Sequence, residues 1–310
     1  MKSRRPRNET RFHPSFLTFS LTRPLNRPVT RSLTCCRFNR SCLILSLLVL
    51  SLIFPWVPAG LPGGLALQAA PSGEKSPSGY AEALALYEKG EYGKSLEKIR
   101  SSVTPTHKPY AMRMLAAANY EKLGKAANAI EHMNWCIREH PRRFEPALML
   151  AGLLRGMKRY AQAARSAALG IRRVGENVSL RREIALNYYM LGNFRLARYH
   201  LDLALARGKN NIEIVYLDGL LFLRQGKLDS ADFRLRHALD LKPDNTALLA
   251  DIYNNLGLIA ELRGDAVRAS RKKRAAKLYA EARRYYRFSR TVLPSHAKSS
   301  LNLKRLEKKL

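Results

Sequence analysis

The feature that most constrains the fold of this chain is a set of small residues that recur every 34 positions. Three series share this interval: Gly90, Gly124, Gly192 and Gly226, with Lys158 in the vacant position; Ser95, Ala129, Ala163, Ala197 and Ala231; and Ala83, Ala117, Ala151, Ala185 and Gly219. Independent series with one shared interval indicate an internal repeat. We therefore expect similar helical hairpins stacked side by side.

Three stretches show the repeated pattern most fully: LAGLLRGMKRYAQAA, IALNYYMLGNFRLAR and YLDGLLFLRQGKLDSADFRLRHALDLKP. Each has a small residue in a first helix, a turn position seven residues later, a large apolar or aromatic residue after the turn, and then an alanine. The last stretch also closes on a proline. Over residues 80–296 the sequence resembles the tetratricopeptide repeat family, whose repeat is also about 34 residues long.

Physical reasons support each position of the pattern. A small residue such as Ala185 or Gly219 lets the second helix cross the first at close range. Gly192 in the turn can take the left-handed conformation that ends a helix. Pro141 and Pro243 stop a second helix before the next repeat begins. Large apolar side chains two positions after the turn are expected to pack under the hairpin: Tyr92, Tyr160, Phe194 and Leu228.

The resemblance implies an all-α fold, a right-handed α-solenoid of about six helix-turn-helix repeats with a C-terminal capping helix. The approximate repeats are 76–109, 110–143, 144–177, 178–211, 212–245 and 250–296. One hairpin has too little apolar surface to fold alone, so neighbouring hairpins supply the core.

The sixth repeat departs from the pattern. Gly257 and Gly264 stand in the usual relation of small residue and turn glycine, but the interval from Gly226 to Gly264 is 38. A basic insertion follows near 265–277. We expect one long helix from about Ala266 to Thr291, whose first turns project as a basic arm.

The C-terminal residues 297–310 predict a capping helix with a polar outer face. Ser295 is expected to cap its N-terminus. The helix would place four apolar residues near one face, with Lys and Arg opposite: Ala297, Leu301, Leu306 and Leu310.

The N-terminal seventy residues predict export. Residues 1–41 indicate a disordered basic leader, and residues 42–70 a signal peptide, since an apolar run from Cys42 to Phe54 follows basic residues and small residues occur at Ala69 and Ala70. An uncleaved anchor over residues 42–58 gives the same orientation. Two alternatives for this segment remain: an organellar transit peptide, or a start codon that has been placed too early. We expect a periplasmic or otherwise extracytoplasmic protein.

The net charge of +31 favours anionic partners. Residues 1–70 hold ten of the 55 basic residues and one of the 24 acidic ones, so the excess belongs to the repeats too. Three of the four cysteines, Cys35, Cys36 and Cys42, precede or begin the apolar run, which leaves Cys136 alone in the repeats and no disulfide framework.

In the tetratricopeptide family the concave face is lined by first-helix residues and holds a peptide. Carried over by position, the predicted groove comprises Glu145, Arg155, Arg182, Leu186, Tyr189, Tyr216, Leu220 and Arg224. Arginine and aromatic side chains suit acidic or C-terminal peptide groups. The alternative is that some of them only solvate the inner wall.

A second candidate surface is basic. Its centre is the run Arg268, Arg271, Lys272, Lys273 and Arg274. Such density suits anionic lipid, an envelope polyanion, an acidic protein partner or the phosphates of nucleic acid, or it is a solvated helix face that aids solubility. Export disfavours nucleic acid.

No catalytic motif is evident: the sequence has no glycine-rich phosphate loop, nucleophile elbow or paired metal motif. His132 and Cys136 are four residues apart, but two ligands without a third indicate packing. We therefore expect no enzyme, catalytic residue, metal, cofactor or small-molecule substrate. The function predicted is a scaffold that binds a peptide segment of a partner protein in the cell envelope; the alternative is an electrostatic binder of anionic surfaces.

Overall fold

The computed structural model of the protein describes residues 79–102 and 109–309. Within these two ranges the chain forms thirteen α-helices and no strand. The predicted basic leader over 1–41 and the predicted signal or anchor over 42–70 lie outside the described residues. The predictions of an all-α fold and of a repeat solenoid are confirmed.

The helices follow one another as six hairpins and a final single helix. The helices are α1 (Tyr80–Glu88), α2 (Tyr92–Ser102), α3 (Tyr110–Lys122), α4 (Ala126–Glu139), α5 (Glu145–Gly156), α6 (Tyr160–Val174), α7 (Val178–Met190), α8 (Phe194–Leu205), α9 (Ile212–Arg224), α10 (Leu228–Asp240), α11 (Thr246–Val267), α12 (Lys272–Val292) and α13 (Ala297–Glu307). Each helix packs mainly against the next helix in the chain, and several first helices also contact the first helix of the next hairpin. The core therefore runs along the stack of hairpins.

The small residues of the repeat lie where paired helices approach each other. The recurring alanines of both helices are fully buried, and Ser95 donates from Oγ to the Ala83 carbonyl oxygen at 2.7 Å. At Gly219 an added Cβ would lie 3.0 Å from the Leu235 side chain. The two helices of this hairpin lie so close there that a larger residue would have to displace the Leu235 side chain.

The hairpin turns use the left-handed conformation that the sequence pattern predicts. Gly90, Gly124, Gly192 and Gly226 have φ angles between 70° and 80°. Lys158, which replaces the glycine in the third repeat, keeps the same conformation with φ 60°. The register of the turn is thus retained without glycine.

The sixth hairpin differs from the prediction of one long helix from about Ala266 to Thr291. Helix α11 ends at Val267 and α12 begins at Lys272, so the basic segment contains a turn. Both helices are long, with 22 and 21 residues against 13 each in α9 and α10. The insertion therefore lengthens both arms of the hairpin.

Gly264 does not form the turn in this hairpin, because it lies inside α11. An added Cβ at Gly264 would lie 2.6 Å from the Tyr279 ring, and one at Gly257 would lie 2.6 Å from the Tyr286 ring. Two tyrosines of α12 thus pack directly on two glycines of α11, seven residues apart in each helix. These two tyrosine–glycine contacts set the close approach of α11 and α12.

Two details of the capping helix α13 also differ from the prediction. His296 caps its N-terminus instead of Ser295, with Nδ1 accepting from the Ser299 amide. The buried face carries Ser299, Leu303 and Leu306, whereas Leu301 is 62% exposed. Residue 310 lies outside the described part. The helix is turned so that polar residues face α11.

Candidate interaction surfaces

The residues predicted for the groove occur on three successive first helices, α5, α7 and α9. Glu145 and Arg155 lie on α5, Arg182, Leu186 and Tyr189 on α7, and Tyr216, Leu220 and Arg224 on α9. Side chains of these helices contact one another from repeat to repeat. We call this series of first-helix side chains the inner row.

Arg155 is an internal residue of the inner row. It is 7% exposed and donates from Nε to Glu183 Oε1 at 2.8 Å, while Glu183 is 1% exposed. Asn187 Nδ2 donates to the same carboxylate oxygen at 3.0 Å. A buried ion pair needs both partners, because removing one leaves an uncompensated charge. Arg155 therefore joins α5 to α7.

Both tyrosines of the predicted groove, and one of its two leucines, Leu220, are also buried. The Tyr189 hydroxyl accepts from Arg224 Nε at 3.3 Å, and the Tyr216 hydroxyl accepts from Asn255 Nδ2 at 3.1 Å. Burial raises the pKa of both phenols. Leu220 is 1% exposed. These side chains hold α7, α9 and α11 together and present little surface to a ligand.

The remaining members of the inner row are partly exposed. Arg182 pairs with Glu213 of the next repeat, and burial lowers the pKa of its guanidinium. Leu186 and Arg224 are half-buried. Glu145 lies 3.9 Å from Arg143, and its Oε2 has no hydrogen-bond partner among the described residues. Although Glu145 Oε2 is buried, partly exposed polar and apolar side chains thus lie along the same helices.

The five residues of the basic run come together around the turn between α11 and α12. Arg268 follows α11, Arg271 precedes α12, and Lys272, Lys273 and Arg274 form the first turn of α12. All five are exposed, and none forms an ion pair with a described residue. We call this cluster the basic tip.

A polar interface between α11 and α13 has no counterpart in the sequence predictions. Arg305 donates to both oxygens of Glu261, at 2.9 and 2.6 Å, and Lys309 lies 2.8 Å from the same carboxylate. Lys298 and His296 contact Asp251 at 2.8 and 3.2 Å. In the sequence, the only sign of this interface is that α11 carries acidic residues and α13 carries basic ones.

Glu261 shows how this interface is balanced. Burial is the largest effect on its pKa and raises it, but hydrogen bonds from Arg305, Lys309 and Tyr286 together hold the pKa below its usual range. The carboxylate is therefore charged near neutral pH and depends on α13 for its cationic partners.

The histidine and cysteine four residues apart in α4 are packing residues. Cys136 is fully buried, and burial raises its pKa to about 12. Burial and then the Arg113 charge lower the pKa of His132 to about 4. In the described part of the chain no group of three or more His, Cys, Asp or Glu side chains is placed to hold a metal ion. None of the helices described is long and apolar enough to span a membrane.

These features define a helical-repeat protein with an inner row of first-helix side chains and a basic end. No protein-family model matches the chain, and no curated protein sequence is significantly similar to it.

Solved structures of other proteins are similar to it at low sequence identity. PilW, described as a widely conserved type IV pilus biogenesis factor, has a TM-score of 0.56 and 15% identity over 72% of this chain and 96% of PilW. A chain of the APC/C hetero-tetramer Cut9–Hcn1 has a TM-score of 0.52 and 17% identity over 74% of this chain and 48% of that chain. TTC0263, a thermophilic TPR protein in Thermus thermophilus, has a TM-score of 0.46 and 22% identity over 56% of this chain and 94% of its own. This chain has the tetratricopeptide-repeat (TPR) fold.

Proposed function

We propose that this protein is a non-catalytic scaffold that binds a peptide segment of a partner protein along the inner row. The observation that carries the proposal is the partial exposure of Glu145, Arg182, Leu186 and Arg224 on helices whose opposite sides are fully packed. A surface with partly exposed polar and apolar side chains on rigid helices suits an extended or helical peptide. Four buried side chains lie beneath this surface and support it: Tyr189, Tyr216, Leu220 and Arg155.

Site-specific photocrosslinking in the native cell tests this proposal. A photoreactive residue in place of Leu186 should give a discrete protein adduct, and Arg182→Glu should weaken that adduct because it reverses a charge beside it. The matched control is the same photoreactive residue at Tyr199, which is 58% exposed on the second helix α8. Equal adducts at both positions, or an adduct insensitive to Arg182→Glu, contradict the inner row as the binding surface.

Export to the cell envelope is the second part of the proposal. It is supported by the basic leader and the apolar run that begins at Cys42. N-terminal sequencing of the protein from its native cell should give a start near Ala70 or Pro71. An intact Met1 contradicts cleavage and leaves the uncleaved anchor or a different compartment.

A second candidate function is binding to an anionic surface through the basic tip. The specific observation in its favour is that the five exposed cations have no carboxylate partner among the described residues. Cosedimentation with phosphatidylglycerol vesicles should then decrease from low to moderate salt, because screening weakens exposed charges. Binding that is insensitive to salt, or unchanged in Arg271→Ala/Lys272→Ala/Lys273→Ala, contradicts this candidate.

A further inference from the structure

A groove between α12 and α13 is separate from both the inner row and the basic tip. Its cavity volume is about 540 Å³, within the range of about 300 to 1,000 Å³ typical of ligand sites. The lining residues are Arg283, Arg287, Arg290, Ser300, Leu303, Lys304 and Glu307. Four of these seven side chains are cations and one is an acid.

The three arginines of the groove share one face of α12. Their spacing of four and three residues places them one above another along the helix. All three arginines are exposed, whereas Tyr279, Tyr286 and the other buried residues of α12 lie on an adjoining face of the helix. The groove arginines are therefore not required for the packing of this hairpin.

The cations on α13 and directly after it divide into two groups with different surroundings. Lys298, Arg305 and Lys309 pair with carboxylates of α11 at 2.6 to 2.8 Å. Lys304, which faces the groove, is exposed and forms no ion pair with a described residue, and the same holds for the three groove arginines. Like charges that line one groove repel one another, and a bound anion would reduce this repulsion.

The shape of the groove favours a peptide over a membrane or a nucleic acid. A bilayer surface is reached most easily by protruding side chains, whereas this site lies between two helices and has the buried Leu303 in its lining. Glu307 would repel a uniformly anionic polymer but can accept a hydrogen bond from a peptide amide. Alternate residues of an extended peptide lie about 6.6 Å apart. Residues four apart on a helix, such as Arg283 and Arg287, are separated by a rise of about 6 Å, so the two spacings nearly match.

We propose that this groove binds an extended acidic peptide in which carboxylates alternate with apolar residues. The carboxylates contact Arg283, Arg287 and Arg290, whose planar guanidinium groups match carboxylates in two-point geometry. An apolar side chain between them contacts Leu303. The site is independent of the inner row.

Fluorescence anisotropy with the full-length protein and a fluorescein-labelled peptide of alternating Glu and Leu residues tests the proposal. Arg283→Ala/Arg287→Ala/Arg290→Ala should weaken binding about ten- to hundredfold, as expected for three partly exposed ion pairs. Glu307→Gln should strengthen binding a few-fold, because it removes a like charge while the glutamine Oε1 can still accept a hydrogen bond from a peptide amide. Thermal melting of the triple variant checks that it is folded.

The matched control variant is Arg142→Ala/Arg172→Ala/Arg195→Ala, which removes three other exposed arginines and the same total charge. It should bind the peptide nearly as the parent does. An equal loss in this control shows a non-specific charge effect and overturns the proposal. The same assay is repeated with oligodeoxythymidylate and with phosphatidylglycerol vesicles. If either binds more tightly than the peptide and its binding depends on the groove arginines, the choice of an acidic peptide as ligand is overturned. Arg182→Glu should leave peptide affinity unchanged, which separates this test from that of the inner row.

Discussion

At the scale of single residues, the turn of the third repeat holds a lysine where four other repeats hold glycine. Lys158 has φ 60°, in the left-handed region, and its side chain is exposed. For a residue with a Cβ this conformation costs roughly 1–2 kcal/mol. The neighbouring hairpins hold the turn in place despite this cost.

Replacing Lys158 by glycine should stabilise the protein. The relief of backbone strain exceeds the additional entropy that glycine loses on folding, so we expect a net gain of about 0.5–1 kcal/mol. Urea titration measures the change in the free energy of unfolding. Lys125→Gly is the matched control, since Lys125 has φ −85° one position after a turn glycine and should lose stability.

Two half-buried histidines make the stability depend on pH. His132 contacts Arg113 at 3.4 Å, and two repeat lengths later His200 contacts Arg181 at 3.0 Å. In both cases burial and then the arginine charge lower the pKa of the imidazole. Because these pKa values lie below those of the unfolded chain, the unfolded state binds protons first as the pH falls.

We expect the free energy of unfolding to decrease between pH 7 and pH 5. The contribution of His132 is fully present above the ordinary imidazole pKa of 6.5 and is lost as the pH falls towards its folded pKa of about 4. His132→Gln should show a smaller loss over this interval than the parent. Urea titrations at both pH values provide the comparison, and equal losses in the two proteins would show that His132 does not contribute.

At the scale of elements, the last helix is attached mainly through charge. Helix α13 buries only Leu303 and Leu306 among its apolar residues, while its cations reach Asp251, Glu261 and Asp265 of α11. Buried carboxylates need such partners, because an unpaired buried charge is costly. The polar face of α13 therefore fixes its position on the last hairpin.

Adjacent residues of α13 should respond differently to the same substitution. Arg305→Ala leaves the buried Glu261 with one cation fewer and should destabilise the docking of α13 by about 1.5–3 kcal/mol. Lys304→Ala removes an exposed charge on the other side of the helix and should have little effect. Hydrogen exchange of the α13 amides distinguishes the two variants, and equal protection would show that the Glu261 contact does not hold the helix.

At the scale of the whole molecule, the repeat was readable from the sequence because its constraints are local. A helix crossing needs a small residue and a turn needs a left-handed residue, so Ala185 and Gly192 recur at fixed positions. The prediction for the sixth hairpin is wrong because Gly264 fits the turn pattern and a helix interior equally well. Only the packing of the Tyr279 ring against it decides between the two.

The inner row was predictable in position but not in exposure. Family position correctly assigns Tyr189 and Tyr216 to first helices, yet their burial depends on partners in other repeats, Arg224 and Asn255. Sequence spacing does not show which side chains of neighbouring repeats pair. For the same reason the sequence does not reveal the α11–α13 interface, because its paired residues lie more than forty positions apart.

Deleting α13 should destabilise the molecule from one end. A chain that ends at Pro294 removes Leu303 and Leu306 from the cluster around Tyr286 and leaves Asp251 and Glu261 without their cations from α13. Because each helix packs mainly on near neighbours in the chain, the effect should fade with distance from the deletion. Hydrogen exchange should therefore become about tenfold faster or more in α11 and α12 and stay nearly unchanged in α3 to α6. A uniform increase across all hairpins would mean that the described repeats unfold as a single cooperative unit, since loss at one end would then be felt equally at the other.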